Sequence, residues 1–131
     1  MNADKPFFDT NVLLYLLSND AKADQAEALL ARGGVVSVQV LNEFASVAFR
    51  KLKMTWPEIR EILATIRAVC EVIPVTVEIH ETGLVIAERY RLSFYDSLIL
   101  AAAKQAKCRM IYSEDMQDGQ IIQGVSIRNP F

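Results

Sequence analysis

Short apolar runs alternate with longer amphipathic stretches along this chain. Runs such as Phe7-Phe8 and Val35 to Val38 are brief and end near polar residues, which predicts buried strands. Between such runs, apolar residues recur at helical spacing, as they do from Gln39 to Lys53. Further strands are predicted at Val72 to Val75, where Pro74 favours an edge position, at Arg109 to Tyr112 and at Val125 to Ile127.

Capping residues mark the ends of the predicted helices. Thr55-Trp56-Pro57-Glu58 combines an N-capping threonine, an early proline and a glutamate at the capping-box position, so a helix is expected from there to about Val69. Gly33-Gly34 is expected to end the helix that directly precedes these two glycines. The other predicted helical segments are Asn11 to Leu17, Ala21 to Arg32, Thr76 to about Tyr90, and Phe94 to Lys107 after a Ser93 cap.

The order of these elements predicts the class of fold. Strands that alternate with helices imply a mostly parallel central sheet with helices on both faces, which is a three-layer α/β/α sandwich. No linker, repeat or low-complexity segment interrupts the 131 residues. We therefore expect one domain over residues 1–131.

Composition narrows the possible chemistry. The chain has one histidine, His80, which argues against histidine-rich zinc sites and excludes a mechanism that needs two histidines. Its two cysteines, Cys70 and Cys108, lie far apart and are expected in the core. The formal net charge of −2 speaks against nucleic-acid binding unless acids are pooled at a metal site. Basic clusters, including Arg50-Lys51-Leu52-Lys53, are compatible with RNA contact but are equally explained as solvated helix ends.

The apolar runs are also informative about location. They are short and broken by charges, so no membrane-spanning segment is expected. The first residues lack the basic start and apolar stretch of a secretory signal. A cytoplasmic protein is the resulting expectation.

Four acids are predicted to meet at one edge of the sheet. Asp9 directly follows the first strand, and Asp115 follows the Arg109 to Tyr112 strand. Glu43 and Asp96 each lie near the start of a helix. Ligands of parallel sheets gather at the carboxyl ends of the strands, and carboxylate oxygens suit Mg²⁺ or Mn²⁺.

Each acid also has a purely structural explanation. Asp9 is suited to capping the turn that follows, and Glu43 is compatible with a surface position. Asp96 stands three residues after Ser93, so a capping box accounts for it on spacing alone. Asp115 lies in a loop where acids are common turn formers. The functional interpretation rests on all four falling on one edge.

Four segments, in order, resemble the motifs of PIN-domain ribonucleases. Phe7-Phe8-Asp9-Thr10-Asn11-Val12-Leu13 resembles the opening motif and Leu41-Asn42-Glu43-Phe44 the second. Phe94 to Ala103 resembles the third and Tyr112-Ser113-Glu114-Asp115-Met116 the fourth. The size of the chain is similar to that of the virulence-associated protein C toxins of bacterial toxin–antitoxin pairs. Ser113 stands where threonine is frequent in the family, and the loop carrying Asp118 varies.

The resemblance implies a function. Asp9, Glu43, Asp96 and Asp115 would hold Mg²⁺ or Mn²⁺, and the protein would cleave RNA with a metal-activated water. Thr10, Asn11 and Ser113 would orient a carboxylate or water, although cap and turn chemistry also explains them. Whether Asp118 joins the site is left open. The resemblance further implies a homodimer and an antitoxin protein as partner.

Several other classes of protein are alternatives to a PIN-domain ribonuclease. The alternative to a nuclease is a non-catalytic RNA- or protein-binding module of the same fold. A haloacid-dehalogenase-like phosphatase needs an aspartate where Asn11 stands, and a response-regulator receiver needs a central acceptor aspartate that is missing. A glycine-rich phosphate-binding loop ending in Gly-Lys is also absent from the sequence.

Overall fold

Strand β1, Phe7–Phe8, lies in the interior of a six-stranded sheet in the computed structural model, which describes residues 2–131. The strand order is β3-β2-β1-β4-β6-β5, and all neighbours are parallel except β5 and β6. Phe7 pairs with Val35 of β2 on one side and with Ile111 of β4 on the other. The remaining strands are β2 Gly34–Ser37, β3 Cys70–Ile73, β4 Met110–Tyr112, β5 Ile121–Ile122 and β6 Val125–Arg128.

Helices cover the sheet in the α/β/α arrangement that the sequence predicts. The chain runs outward from β1 to β2 and β3, then returns to the other side of β1 with β4. Such a reversal leaves a crevice at the carboxyl ends of the central strands. The helices are α1 Thr10–Leu14, followed by a 3₁₀ turn at Tyr15–Leu17, α2 Ala21–Ala31, α3 Val38–Arg50, α4 Trp56–Val69, α5 Val77–Tyr90 and α6 Phe94–Gln105.

Helix α6 is the most deeply buried of these helices. Every residue from Ser97 to Ala103 is buried, and the helix contacts β2, β4 and β6 while α5 packs on it. The small side chains of Ala101, Ala102 and Ala103 allow this close approach to the sheet. The packing fixes the position of the first turn of α6, which carries Asp96.

Close contact between β1 and β2 depends on Gly34. A Cβ atom built on Gly34 would lie 2.7 Å from the carbonyl oxygen of Pro6 and would also collide with the ring of Phe8. Glycine is therefore required where β2 runs beside β1. As a result, the start of α3 lies next to the carboxyl end of β1.

Most predicted elements are confirmed, with shifts of one to three residues at their ends. The capping box of Thr55 and Glu58 is complete, and β3 is an edge strand as Pro74 suggested. Val38, predicted to end a strand, instead begins α3 because the Ser37 hydroxyl accepts a hydrogen bond from the Val40 N–H and caps the helix.

Strand β5 was not predicted. It forms a hairpin with β6 through Gln123 and Gly124, which both have positive φ angles, 47° and 85°. Two consecutive positive φ angles are typical of a two-residue type I′ turn. Ile-Ile before Gln-Gly was the signal for this hairpin, but glutamine is uncommon at the first turn position.

The two cysteines lie in the core, as predicted. Cys70 and Cys108 are buried free thiols, and burial raises the pKa of each to about 11.

None of the helices described for residues 2–131 has the length and apolar character needed to cross a bilayer.

Candidate functional site

A pocket of about 300 Å³ opens at the carboxyl edge of the sheet, beside the end of β1. All four acids predicted from the sequence line it, although they come from four separate segments. The residues that line this acidic pocket are Asp9, Thr10, Asn11, Leu14, Glu43, Ser46, Val47, Arg50, Asp96 and Asp115.

Asp9 forms the buried floor of the acidic pocket and is 4% exposed. Its Oδ1 accepts a hydrogen bond of 2.7 Å from the backbone N–H of Thr10 as the N-cap of α1. Its Oδ2 accepts two more, from the Ser113 hydroxyl at 2.8 Å and from Nδ2 of Asn11 at 3.2 Å. These donors fix the carboxylate in one orientation.

The pKa of Asp9 is raised to about 6. Burial is the main cause, because it removes water from the charged form. The hydrogen bonds from Ser113 and Thr10 oppose the rise, whereas the negative charges of Asp96 and Glu43 add to it. Asp9 is thus a carboxylate whose environment lacks a compensating positive charge.

Glu43 is held by two polar neighbours. The Thr10 hydroxyl donates a hydrogen bond of 2.6 Å to its Oε1, and Nε2 of Gln39 donates one of 3.1 Å to its Oε2. Gln39 also donates to the backbone carbonyl of Tyr95, at 3.1 Å. Gln39 therefore ties α3 to the first turn of α6, beside Asp96.

Asp96 has only part of the capping role that its spacing suggests. The Ser93 hydroxyl accepts a hydrogen bond of 3.2 Å from the backbone N–H of Asp96 and so caps α6. The reciprocal bond, from the backbone of the capping residue to the carboxylate, is recorded for Thr55 and Glu58 but not for Ser93 and Asp96. The carboxylate of Asp96 instead borders the acidic pocket.

The pKa of Asp96 is raised as well. Burial is again the largest cause, the Ser93 hydroxyl opposes it, and the charges of Asp115 and Glu43 add to it. Glu43 therefore influences both Asp9 and Asp96, and Asp115 influences Asp96. Neighbouring negative charges thus add to the rise in the pKa of both Asp9 and Asp96.

The loop after β4 places Asp115 in the lining of the pocket and Ser113 behind it. Asp115 is exposed at the rim. Ser113 is fully buried, and its hydroxyl accepts from the N–H of Met116 while donating to Asp9. Oδ1 of Asn11 accepts from the N–H of Glu114 at 3.0 Å, which fastens the same loop to α1.

Two further acids of this loop lie outside the acidic pocket. Oδ1 of Asp118, the possible extra acid, accepts a hydrogen bond of 2.8 Å from the backbone N–H of Asn129 and stabilises the C-terminal segment. Glu114 forms an ion pair of 3.0 Å with Lys22 and accepts from the Tyr15 hydroxyl, and these two hydrogen bonds hold its pKa below the usual value.

Sequence analysis missed three polar residues of the site. Gln39 and Ser46 carried no motif, and Arg50 was noted only as part of a basic cluster. The helical spacing of Glu43, Ser46 and Arg50, at i, i+3 and i+7, places them on one face of α3 and was the available signal.

The donor set of the acidic pocket suits a hard divalent cation, since it consists of carboxylates with neighbouring hydroxyl and amide groups. Within residues 2–131, however, no three acidic, histidine or cysteine side chains stand in a ready metal-holding arrangement. Electrostatic repulsion among the carboxylates favours positions in which these side chains stay apart. The chemistry of the pocket therefore suits a hard divalent ion, although its carboxylates do not converge on one point in this structure.

The sequence matches the profile of the PIN domain over residues 7–117. The chain therefore belongs to the PIN domain family. The matched segment contains Asp9, Glu43, Asp96 and Asp115, so all four acids of the pocket lie inside it. A comparison with curated protein sequences gave no match.

Solved structures that share this fold include a toxin and a toxin–antitoxin complex. A toxin–antitoxin complex from Klebsiella pneumoniae superposes with a TM-score of 0.75 at 21% identity, covering 97% of this chain and 98% of that chain. VapC20 of Mycobacterium tuberculosis, a toxin that cleaves the sarcin–ricin loop, superposes with a TM-score of 0.68 at 23% sequence identity, and the match covers 85% of this chain and 90% of VapC20. VapBC2 of Rickettsia felis, bound to a DNA fragment of its promoter, superposes with a TM-score of 0.67 at 17% sequence identity, and the match covers 94% of this chain and 96% of that chain. The chain therefore has the fold of VapC toxins.

Proposed function

We propose that this protein is a metal-dependent endoribonuclease and the toxin of a toxin–antitoxin pair. The observation that carries the proposal is the convergence of Asp9, Glu43, Asp96 and Asp115, from four separate segments, on one pocket. Family membership and the toxin fold support the same function. No covalent nucleophile is needed, because water hydrolyses the phosphodiester bond.

The four carboxylates would hold Mg²⁺ or Mn²⁺, which when bound polarises a phosphate and lowers the pKa of a water molecule. The remaining contribution comes from the chain itself. Ser113, Thr10 and Asn11 hold Asp9 in one orientation, so this ligand is prearranged. Thr10 also orients Glu43, which couples the end of β1 to α3.

Asp96 and Asp115 stand on the more open side of the pocket. Asp96 is half-buried and Asp115 is exposed, so both have room to adjust. We assign to them the inward movement that completes the ligand set. RNA would approach from this open side, since the opposite wall is formed by the buried Asp9.

Incubation of the protein with a mixture of structured and single-stranded RNAs, with Mg²⁺, with Mn²⁺ and with chelator, tests the proposal. Cleavage is expected with either ion and is expected to stop in chelator. The Asp96→Asn variant should be inactive, and Glu58→Gln, which changes an acid of a remote capping box, should be fully active. Cleavage that persists in chelator would contradict the metal-dependent mechanism.

A non-catalytic binding module is the second candidate function. The observation on its side is that, within residues 2–131, no three acidic side chains already stand in a metal-holding arrangement. Such a module would bind RNA or protein without cleaving it, and its binding would be unchanged by chelator. The same incubation experiment, followed by a binding assay, separates the two functions.

Partners follow from the proposed toxin role. We infer an antitoxin protein, because the similar structure from Klebsiella pneumoniae is a toxin–antitoxin complex. We also infer a homodimer and a cytoplasmic location. A small gene adjoining this one would be the candidate antitoxin; its co-expression, followed by purification through a tag on its product, should recover this chain and suppress its activity.

A further inference from the structure

Arg50 is a cation in the wall of an otherwise acidic pocket. It lies in the last turn of α3, two helical turns beyond Glu43, and lines the pocket with the four carboxylates. Within residues 2–131, its guanidinium forms no ion pair with any of them. Its charge is therefore not used to neutralise a neighbouring acid.

Ser46 holds Arg50 in place. Nε of Arg50 donates a hydrogen bond of 3.0 Å to the Ser46 hydroxyl, one turn earlier on α3, and both residues line the pocket. This bond occupies the inner nitrogen of the guanidinium and leaves the two terminal nitrogens for other acceptors. A planar pair of N–H donors matches two oxygens of one phosphate group.

The excess of negative charge in the pocket makes a positively charged donor useful for binding RNA. Four carboxylates repel a polyanionic strand, and a bound divalent ion offsets only part of their charge. A fixed arginine beside them supplies attraction at a defined point. We propose that Arg50, oriented by Ser46, binds a backbone phosphate of the RNA substrate adjacent to the bond that is cleaved. The inference rests on the proposed nuclease function and makes Arg50 a substrate-positioning residue.

A helix-end role is the competing explanation, because a basic residue near a helix C-terminus is favourable on its own. Arg67 provides a matched control. It is also an exposed arginine in the last turn of a helix, α4, but it does not line the acidic pocket. A pure helix-end effect would be the same for both arginines.

The test is fluorescence anisotropy of a labelled single-stranded RNA, with Arg50→Gln, Arg50→Lys and Arg67→Gln each made in the Asp96→Asn background. Arg50→Gln should weaken binding by about 10- to 100-fold, the range for loss of a charged hydrogen bond. The slope of log affinity against log salt should fall by about 1. Arg50→Lys should recover part of the loss, because it keeps the charge but not the paired donors.

The two arginines should differ if Arg50 positions the substrate. Arg67→Gln should bind RNA like the background protein, and the melting temperatures of both glutamine variants should be alike. Equal affinity and equal salt slope for Arg50→Gln and Arg67→Gln would overturn the inference. In the otherwise wild-type enzyme, Arg50→Gln should raise KM more than it lowers kcat.

Failure of this inference is distinguishable from failure of the proposed function. RNA cleavage that Arg50→Gln leaves unchanged would overturn the role of Arg50 and keep the nuclease. RNA binding that depends on Arg50, in a protein that never cleaves, would support the phosphate site and overturn the nuclease. Absence of any RNA binding by the wild-type chain would overturn both.

Discussion

The hydroxyl of Ser113 lies 2.8 Å from Oδ2 of Asp9 and donates a hydrogen bond to it, joining residues 104 positions apart in the chain. Both residues are buried. The bond links the loop after β4 to the end of β1 and so fixes the distance between the two sides of the acidic pocket. Ser113 thereby acts on the site without lying among its lining residues.

Removal of this hydroxyl should affect both stability and the charge of Asp9. Ser113→Ala takes away a hydrogen bond to a carboxylate and leaves the N–H of Met116 without its acceptor. We expect a loss of about 2 kcal/mol in the free energy of unfolding and a further rise in the pKa of Asp9. Urea denaturation at pH 7 in chelator measures the first effect. Ser113→Thr, which keeps the hydroxyl, should be much closer to wild type; equal stability of the alanine variant and wild type would refute the prediction.

Asp96→Asn separates the metal-site role of Asp96 from its place in a helix cap. The substitution removes a repelling charge from the pocket, so in chelator the variant should melt at the same temperature as wild type or higher. RNA cleavage should be lost. Unfolding of Asp96→Asn in chelator would show that the carboxylate serves mainly as a cap.

Glu58→Gln is the matched control for that variant. Glu58 occupies the same capping position on α4 and makes both bonds of a complete capping box. Glutamine can still close the capping box, so the replacement should lower stability by less than about 1 kcal/mol, through loss of a negative charge at the helix N-terminus, and leave RNA cleavage unchanged.

Thr10→Val tests the orientation of Glu43. Valine has nearly the same shape as threonine but lacks the hydroxyl that donates to Oε1 of Glu43. Activity or metal affinity should drop about 10- to 100-fold, as is usual when a group that orients a ligand is lost. Thr65→Val, which removes an exposed hydroxyl bonded to the Glu61 carbonyl on α4, should leave activity as it is. A Thr10→Val enzyme with wild-type activity and metal affinity would exclude an orienting role.

The raised pKa of Asp9 makes the metal-free protein sensitive to pH. Between the ordinary value of 3.8 and the folded value of about 6, the folded state keeps a proton that the unfolded state has lost. Stability from this group is therefore greatest below pH 3.8 and decreases as pH rises through 6. The total change is about 3 kcal/mol, from roughly two pKa units at 1.36 kcal/mol each.

Carboxyl-carbon NMR titration of Asp9 in chelator measures this directly. The midpoint should lie near 6 and should move down when Mg²⁺ is added, because a nearby cation favours the carboxylate. Glu114 contributes in the opposite direction, since its lowered pKa gives stability that is lost as pH falls. A midpoint near 3.8 for Asp9 would contradict the role given to its burial.

Local patterns were sufficient to predict most of the fold. Capping signals at Thr55 and Thr76 placed two helix starts correctly, because a cap depends on neighbouring residues alone. The β5–β6 hairpin was missed, since Gln123 adopts a left-handed conformation that glutamine seldom takes. Strand ends such as Val38 shifted because the sequence alone could not decide between a β-branched strand and a helix capped by Ser37.

The placement of the four acids at one pocket could be predicted from the sequence, whereas their side-chain contacts could not. The strand order places Asp9 and the loop after β4 side by side, so topology alone brought the four acids to one edge. Side-chain partners such as Gln39 and Ser46 depend on how α3 is rotated against α6, which packing decides. Asp118 lies four residues before Ile122 of β5. Its carboxylate contacts the C-terminal segment because the β5–β6 hairpin directs the chain there.

We propose that carboxylates from four segments share a divalent ion in the acidic pocket, and the most direct test is a crystal soaked in Mn²⁺. An anomalous difference peak is expected in the pocket, with oxygens of Asp9 and at least two of Glu43, Asp96 and Asp115 as direct or water-mediated ligands, the direct ones at about 2.1 Å. A pocket without a peak at saturating Mn²⁺, or a peak held by residues elsewhere on the chain, would contradict the account.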